Sequence, residues 1–283
     1  MISYKFDYKV AGTLEEAFSM LEDAGSGGSF IAGGHSLVPA MKLRLAQPET
    51  LIDISKVFGM SEINSDSDVL TIGGLVTHAE VASSETVKNI CPGLSECAGV
   101  IGDAQVRNKG TIGGNIAHAD PGSDYPGALI AFGATICLAS SSGVREVKAE
   151  DFFTGLFETD KSDNEIVTAV KLLSSPNSTY VKFPNPASRY AIVGIGLSLE
   201  MRDSKCESIS VGITGAADHA FRAFSAESFL SGSALTDDDL NSAVSVLLEG
   251  QEMMNDLAAS SKYRSHLCGV MLRRAISKIK DRA

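Results

Sequence analysis

The first hundred residues alternate between helical and extended hydrophobic spacing. Thr13-Leu14-Glu15-Glu16 predicts a capping box, with Leu14, Ala17, Phe18 and Leu21 following at helical intervals and Gly25 ending the run. Phe30-Ile31-Ala32 then reads as a short buried strand, Ser36 to Arg44 as a helix with Leu37, Met41 and Leu45 inward, and Leu51-Ile52-Asp53-Ile54 as a second strand. A second unit opens with Val69-Leu70-Thr71-Ile72-Gly73-Gly74 and continues through helices at His78–Ser84 and around Gly93–Ile101. Ala128–Leu138 supplies an apolar stretch, and Ile166–Leu172 alternates as a half-buried strand does. Ser174-Ser175-Pro176-Asn177-Ser178 has the composition of a linker.

Beyond it the rhythm changes. Ala191–Met201 and Ser208–Ile213 predict antiparallel strands, Thr236-Asp237-Asp238-Asp239 starts a helix running to Leu248, and a longer helix begins near Ser260. Tyr263, Leu267, Val270, Met271 and Ile279 mark the buried side of that last helix. The pattern divides the chain into an α/β unit at 1–56, a second at 57–176 and an α+β unit at 177–283.

Composition narrows the partners. With 35 acidic against 24 basic side chains the formal net charge is −11, which disfavours nucleic-acid and anionic membrane surfaces. No run reaches the roughly 18 apolar residues of a membrane span, and the first residues lack the apolar stretch of a signal peptide, so a cytoplasmic protein is expected. The five cysteines are scattered, with no C-x-x-C pair, so neither a zinc site nor an iron–sulfur cluster is signalled. His118-Ala119-Asp120 supplies too few ligands for a metal.

Two glycine loops carry the candidate chemistry: Ala32-Gly33-Gly34-His35-Ser36 and Thr111-Ile112-Gly113-Gly114-Asn115, the second followed by Asp120-Pro121-Gly122-Ser123-Asp124. Adjacent glycines let backbone N–H groups converge on a phosphate without a Cβ in the way. An acidic chain has to neutralise a diphosphate locally, with backbone dipoles and a few placed Lys or Arg. Neither loop has the G-x-G-x-x-G of a dinucleotide fold, the second does not clearly open a long helix, and no G-K-[ST] of a P-loop occurs. Asp124, acceptor-only when ionised, has to face hydroxyl or N–H donors rather than phosphate oxygens.

As written, these motifs resemble the FAD-binding medium subunit of the molybdenum hydroxylases, the carbon monoxide dehydrogenase and xanthine dehydrogenase type. The resemblance takes in Ala32 through Arg44, Leu51-Ile52-Asp53-Ile54, Val106 through Asn115, Ala119 through Asp124, and the C-terminal Tyr263-Arg264-Ser265-His266-Leu267 with Leu272-Arg273-Arg274. It covers essentially the whole chain and implies an α+β protein: two α/β subdomains forming a bipartite PCMH-type FAD-binding fold, plus a C-terminal α+β domain with an antiparallel sheet and helices. It further implies that Ser29, Phe30, Ile31, Ala32, Gly33, Gly34, His35 and Ser36 wrap the FAD diphosphate while Thr111, Ile112, Gly113, Gly114 and Asn115 close on it. Ile101 borders the flavin or ribityl chain and Asp124 accepts from FAD donors. Val167 and Lys182 match weaker contacts, and Tyr190 matches an aromatic over the flavin ring.

FAD is expected to be non-covalent, although a histidine in a loop like that of His35 is the covalent attachment point in flavoproteins related by fold. The resemblance implies a molybdopterin large subunit and a small subunit with two 2Fe-2S centres as partners, assembled as a dimer of heterotrimers. Electrons then pass from the 2Fe-2S centres through this chain to NAD+, quinone, ferredoxin or oxygen. The cofactor performs the electron chemistry, so no protein nucleophile or acid–base pair is expected. The rival readings are a self-sufficient FAD-dependent oxidase or reductase and a non-catalytic FAD-bound scaffold.

Overall fold

In the computed structural model, which describes residues 3–282, three larger β-sheets are accompanied by a two-stranded ribbon of Phe153–Gly155 with Glu158–Thr159. The first is parallel, with strands in the order Asp7–Val10, Thr50–Asp53, Gly28–Ile31. The helix Leu14–Ala24 buries Ala17 and Phe18, and Ile52 lies in the same core. Thr13 caps that helix through Glu16 N, but the Glu16 carboxylate accepts from Gly12 N (2.7 Å) rather than closing the box on Thr13. Because Gly28–Ile31 is an edge strand, the turn that follows it is free to meet the next unit.

The second sheet has five antiparallel strands in the order Ile63–Asp66, Val69–Gly73, Ile166–Leu173, Thr135–Ser140, Gly143–Lys148. Its core joins Leu70, Ile72, Ile136, Leu138 and Val170 to Leu94, Ile112, Ile116 and Leu129 from the neighbouring helices. The apolar stretch at 128–138 is two elements, the end of the helix Asp124–Ala131 and the start of the strand Thr135–Ser140. The turn between them contains Gly133 at φ +61.

The third sheet orders Ser178–Pro184, Ala191–Arg202, Lys205–Thr214 and Phe221–Arg222, all antiparallel. Alternation along Ala191–Arg202 gives it two different faces. Val193, Ile195, Leu197 and Leu199 share a core with Leu267, Met271, Leu272 and Ile276 of the helix Ser261–Lys280. On the other face Gly196 pairs with Gly212, and the helix Asp124–Ala131 lies directly against them. A Cβ on Gly212 would run into the Gly127 carbonyl and come within 2.9 Å of Ala131 N. All eight residues of that helix are therefore buried between the second and third sheets.

Three expectations are corrected here. Leu45, expected inward, lies past the end of the helix Leu37–Lys42 and is 80% exposed. The stretch Ser174–Ser178 is no loose linker: Ser174 N and Ser175 N donate to Asp68 O and Ile90 O (both 2.8 Å), and Ser178 begins a strand with its side chain buried. In the last helix Tyr263 is 43% exposed and Val270 half-buried, while Arg264 is buried. Its guanidinium donates to Ile192 O and Gly215 O and pairs with Asp256. A charge that sequence spacing would put outside thus pins strand ends inside.

Glu96, from the helix Pro92–Gly99, ties the third sheet to the second. It accepts from Thr179 Oγ1 (2.7 Å), Tyr180 N (3.1 Å), Lys278 Nζ (2.8 Å) and Arg282. Burial pushes its carboxyl up, but Lys278, Tyr180 N and Thr179 outweigh that and hold it below the usual range. Its contribution is therefore complete above the ordinary glutamate pKa and is lost as pH falls through the lowered folded value. Glu96→Ala is expected to cost about 2 kcal/mol at neutral pH, a figure discounted for the exposure of Lys278 and Arg282. Urea unfolding should show that cost shrinking in acid.

Candidate functional site

The turn after Gly28–Ile31 runs through Ala32-Gly33-Gly34-His35-Ser36 into the helix Leu37–Lys42. Gly34 sits at φ +74, a conformation glycine adopts at no steric cost. Gly33 is pressed against the backbone of Lys109 and Gly110, so this turn meets the second unit at van der Waals contact. The amides of Gly33, Gly34, His35 and Ser36 donate to no protein group among the described residues. Four such N–H groups in one turn form an anion cradle.

The second glycine loop is built differently. Thr111 caps the helix Ile112–His118, its hydroxyl accepting from Gly114 N (3.2 Å). Ile112 N donates to Val76 O, Gly113 N to Gly74 O and Asn115 N to Thr111 O, at 2.9–3.0 Å. The loop thus opens only a short helix of seven residues, and its amides at 112–115 already have partners. Its polar offering is the Asn115 side chain, whose Oδ1 accepts from Ser123 Oγ (2.5 Å), leaving the NH2 to donate.

Between the loops lies a cleft of about 1010 Å³. That is at the upper end of small-molecule sites, roughly 300–1,000 Å³. Leu21, Phe30, Ile31, Leu37, Ile54, Leu75, Ile101 and Val106 give it apolar walls. Every residue expected from the sequence to touch the cofactor lines it except Ile112 and Lys182. Ile112 is wholly buried in the second core, because the helix start turns its side chain inward. Lys182 stands behind Asp124 instead.

Asp124 opens the helix that the third sheet presses into place, and its carboxylate is spanned by two donors from one strand. Tyr180 OH donates to Oδ1 (2.6 Å) and Lys182 Nζ to Oδ2 (2.9 Å). Tyr180 and Lys182 are two apart on the strand Ser178–Pro184, hence on one face. Lys182 Nζ also donates to Arg189 O (2.8 Å), fixing the turn that carries Arg189 and Tyr190 to the cleft. Burial pushes the Asp124 carboxyl up to about 6, against the pull of Lys182 and the Tyr180 hydrogen bond.

Sequence reasoning missed Tyr180, although a tyrosine two residues before Lys182 in an alternating strand was a usable signal. It also did not single out His78, the first residue of a predicted helix. His78 is 3% exposed yet lines the cleft, and burial pulls its imidazole down to about 4, so it is neutral near pH 7. Its Nδ1 and the nearby Tyr125 OH have no protein partner.

Unpartnered amides, a neutral amide donor, apolar walls and an acidic acceptor at the far side suit a ligand with a diphosphate, hydroxyls and a flat heterocycle. FAD has that composition, and the residues fit it. Among the described residues no helix is long and apolar enough to cross a membrane.

Comparison with known proteins agrees. The model described as FAD binding domain in molybdopterin dehydrogenase matches residues 4–172, and the CO dehydrogenase flavoprotein C-terminal domain matches 178–279. The chain is 35% identical to the glyceraldehyde dehydrogenase medium chain of Sulfolobus acidocaldarius, covering 97% of this chain and 98% of that one. It is 34% identical to the carbon monoxide dehydrogenase medium chain of Hydrogenophaga pseudoflava, covering 98% of each. A chain in the solved structure of reconstituted CO dehydrogenase from Oligotropha carboxidovorans superposes with TM-score 0.96 at 34% identity over 100% of both chains.

Proposed function

The chain belongs to the FAD-binding family of the molybdopterin dehydrogenases, and on that premise we propose that it holds one FAD, non-covalently, in the cleft between its two glycine loops. The observation that carries this reading is the set of unpartnered amides of Gly33–Ser36, four residues that line the cleft. They bind the diphosphate without net protein charge, which a chain of charge −11 requires. Asn115 donates beside them, and Asp124, held by Tyr180 and Lys182, accepts from flavin or ribityl donors. Tyr190 covers the ring. Bound there, FAD supplies the exchange of electrons one or two at a time.

In this reading the chain is the medium subunit of a molybdenum hydroxylase, an oxidoreductase subunit. Units 1–56 and 57–176 enclose the cofactor and 177–283 covers it. It receives electrons from the 2Fe-2S centres of a small subunit, fed by a molybdopterin large subunit, and delivers them to an external acceptor. Relatives named as dehydrogenase medium chains support that role. Co-expression with both partner subunits tests it: the three should copurify, and substrate should bleach the flavin only in their presence. A chain that oxidises a small substrate by itself would instead be a self-sufficient flavin enzyme.

A further inference from the structure

One loop of the cleft was invisible in the sequence. Between the strands Glu158–Thr159 and Ile166–Leu173 the chain makes a turn whose Lys161, Asp163, Asn164 and Glu165 all line the cleft. Arg145, on the strand Gly143–Lys148, clamps it. Nε and Nη2 donate to the two Glu165 carboxylate oxygens (2.6 and 2.8 Å), and Nη2 also to Asp160 O (2.6 Å), while Nη1 pairs with the Asp160 carboxylate. Glu165 closes the turn by accepting from Ser162 N (2.7 Å). Ile166, directly after it, packs with Ile54 and Leu75 in the first core, against which Ala32 also packs. The clamped turn is thereby held on the side of the first glycine loop.

Lys161 is the one lysine and Arg189, beside Gly102, the one arginine lining this cleft, while Lys42 and Lys109 line an adjoining cavity that shares the first glycine loop. The Lys161 ammonium donates to Ser162 O (2.7 Å) and no carboxylate pairs with it. Burial pulls it below the usual lysine range, with Asp163 and Glu165 opposing. A half-desolvated cation without a counterion gains from an anion delivered beside it.

We propose that Lys161, carried into the cleft on the Arg145-clamped turn, is a side-chain cation that binds the FAD diphosphate together with the Gly33–Ser36 amides. The inference rests on the FAD reading above. Arg145 acts through the turn and is a positioning residue.

The test titrates the full-length chain, freed of flavin, with FAD at several salt concentrations, using ADP as a second probe. Lys161→Met should weaken both ligands about tenfold or more and make FAD affinity less salt-dependent. Lys161→Arg should restore affinity and salt dependence. Arg145→Ala strands the buried Glu165 carboxylate and should lower the unfolding temperature of the flavin-free protein, while its positioning role should show as weaker binding of both ligands with the same reduced salt dependence as Lys161→Met. Wild-type affinity and salt dependence in Lys161→Met would overturn this inference alone, as would lost affinity with an unchanged salt slope. Failure of the wild-type chain to bind FAD would overturn the FAD reading with it.

Discussion

Gly33→Ala is expected to lower FAD affinity by about 100-fold or more. A Cβ at this position would overlap the Lys109 carbonyl oxygen and fall 2.8 Å from its carbon and 2.9 Å from Gly110 Cα. All of these are backbone atoms, so no rotamer change relieves the clash. The first loop has to move off the second unit, and its four free amides move with it. Gly99→Ala is the matched control, since the added methyl meets only Ala82 Cβ at 3.9 Å. It should leave FAD affinity unchanged. Fluorescence titration of both variants checks the pair, and equal affinities would remove the loop contact from the account.

Lys182→Met is expected to destabilise the protein by about 3–5 kcal/mol at pH 8, because it strands a buried carboxylate. The side chains of Lys182 and Asp124 are only 6% and 4% exposed. The sign of the pH dependence follows from Asp124. Its folded pKa, pushed up to about 6 by burial from an ordinary 3.8, means that folding takes up a proton between those values. The wild-type Asp124 contribution is therefore most favourable below 3.8, declines as pH rises toward 6, and is level above it. At pH 5 the carboxyl is already mostly protonated and needs its cation less. The cost of Lys182→Met should thus be clearly smaller at pH 5 than at pH 8. Asp124→Asn should recover much of the loss in the double variant, and denaturant unfolding of the four-member cycle at both pH values measures this coupling. An identical cost at both pH values would contradict the assigned ionisation.

What the sequence made legible was local. The helix at Leu14, the edge strand at Phe30, the acidic cap at Asp237 and the two glycine turns are each encoded within a few residues. The glycine pairs identified a phosphate-binding chain, but not which pair keeps its amides free. That depends on Val76 and Gly74, whose carbonyls take the amides of the second loop only once the second sheet has formed. Asp124 stood out in its Pro-Gly-Ser-Asp turn, whereas its donors lie 56 and 58 residues on and reach it only because Gly196 and Gly212 let the helix settle onto the third sheet. The same holds for Lys161, an ordinary lysine in a polar turn until Arg145, across the sheet, folds that turn into the cleft. Ser174–Ser178 misled for the opposite reason: polar composition suggests a linker, while its backbone is tied to Asp68 and Ile90.

The most direct test of the account is the flavin content of the purified full-length chain. Saturation with FAD, removal of the unbound excess and acid precipitation should release close to one FAD per chain into the supernatant, leaving the pellet colourless. Absence of bound flavin, or a yellow pellet with flavin fixed to His35 or another side chain, would contradict a non-covalent FAD clamp between the two glycine loops.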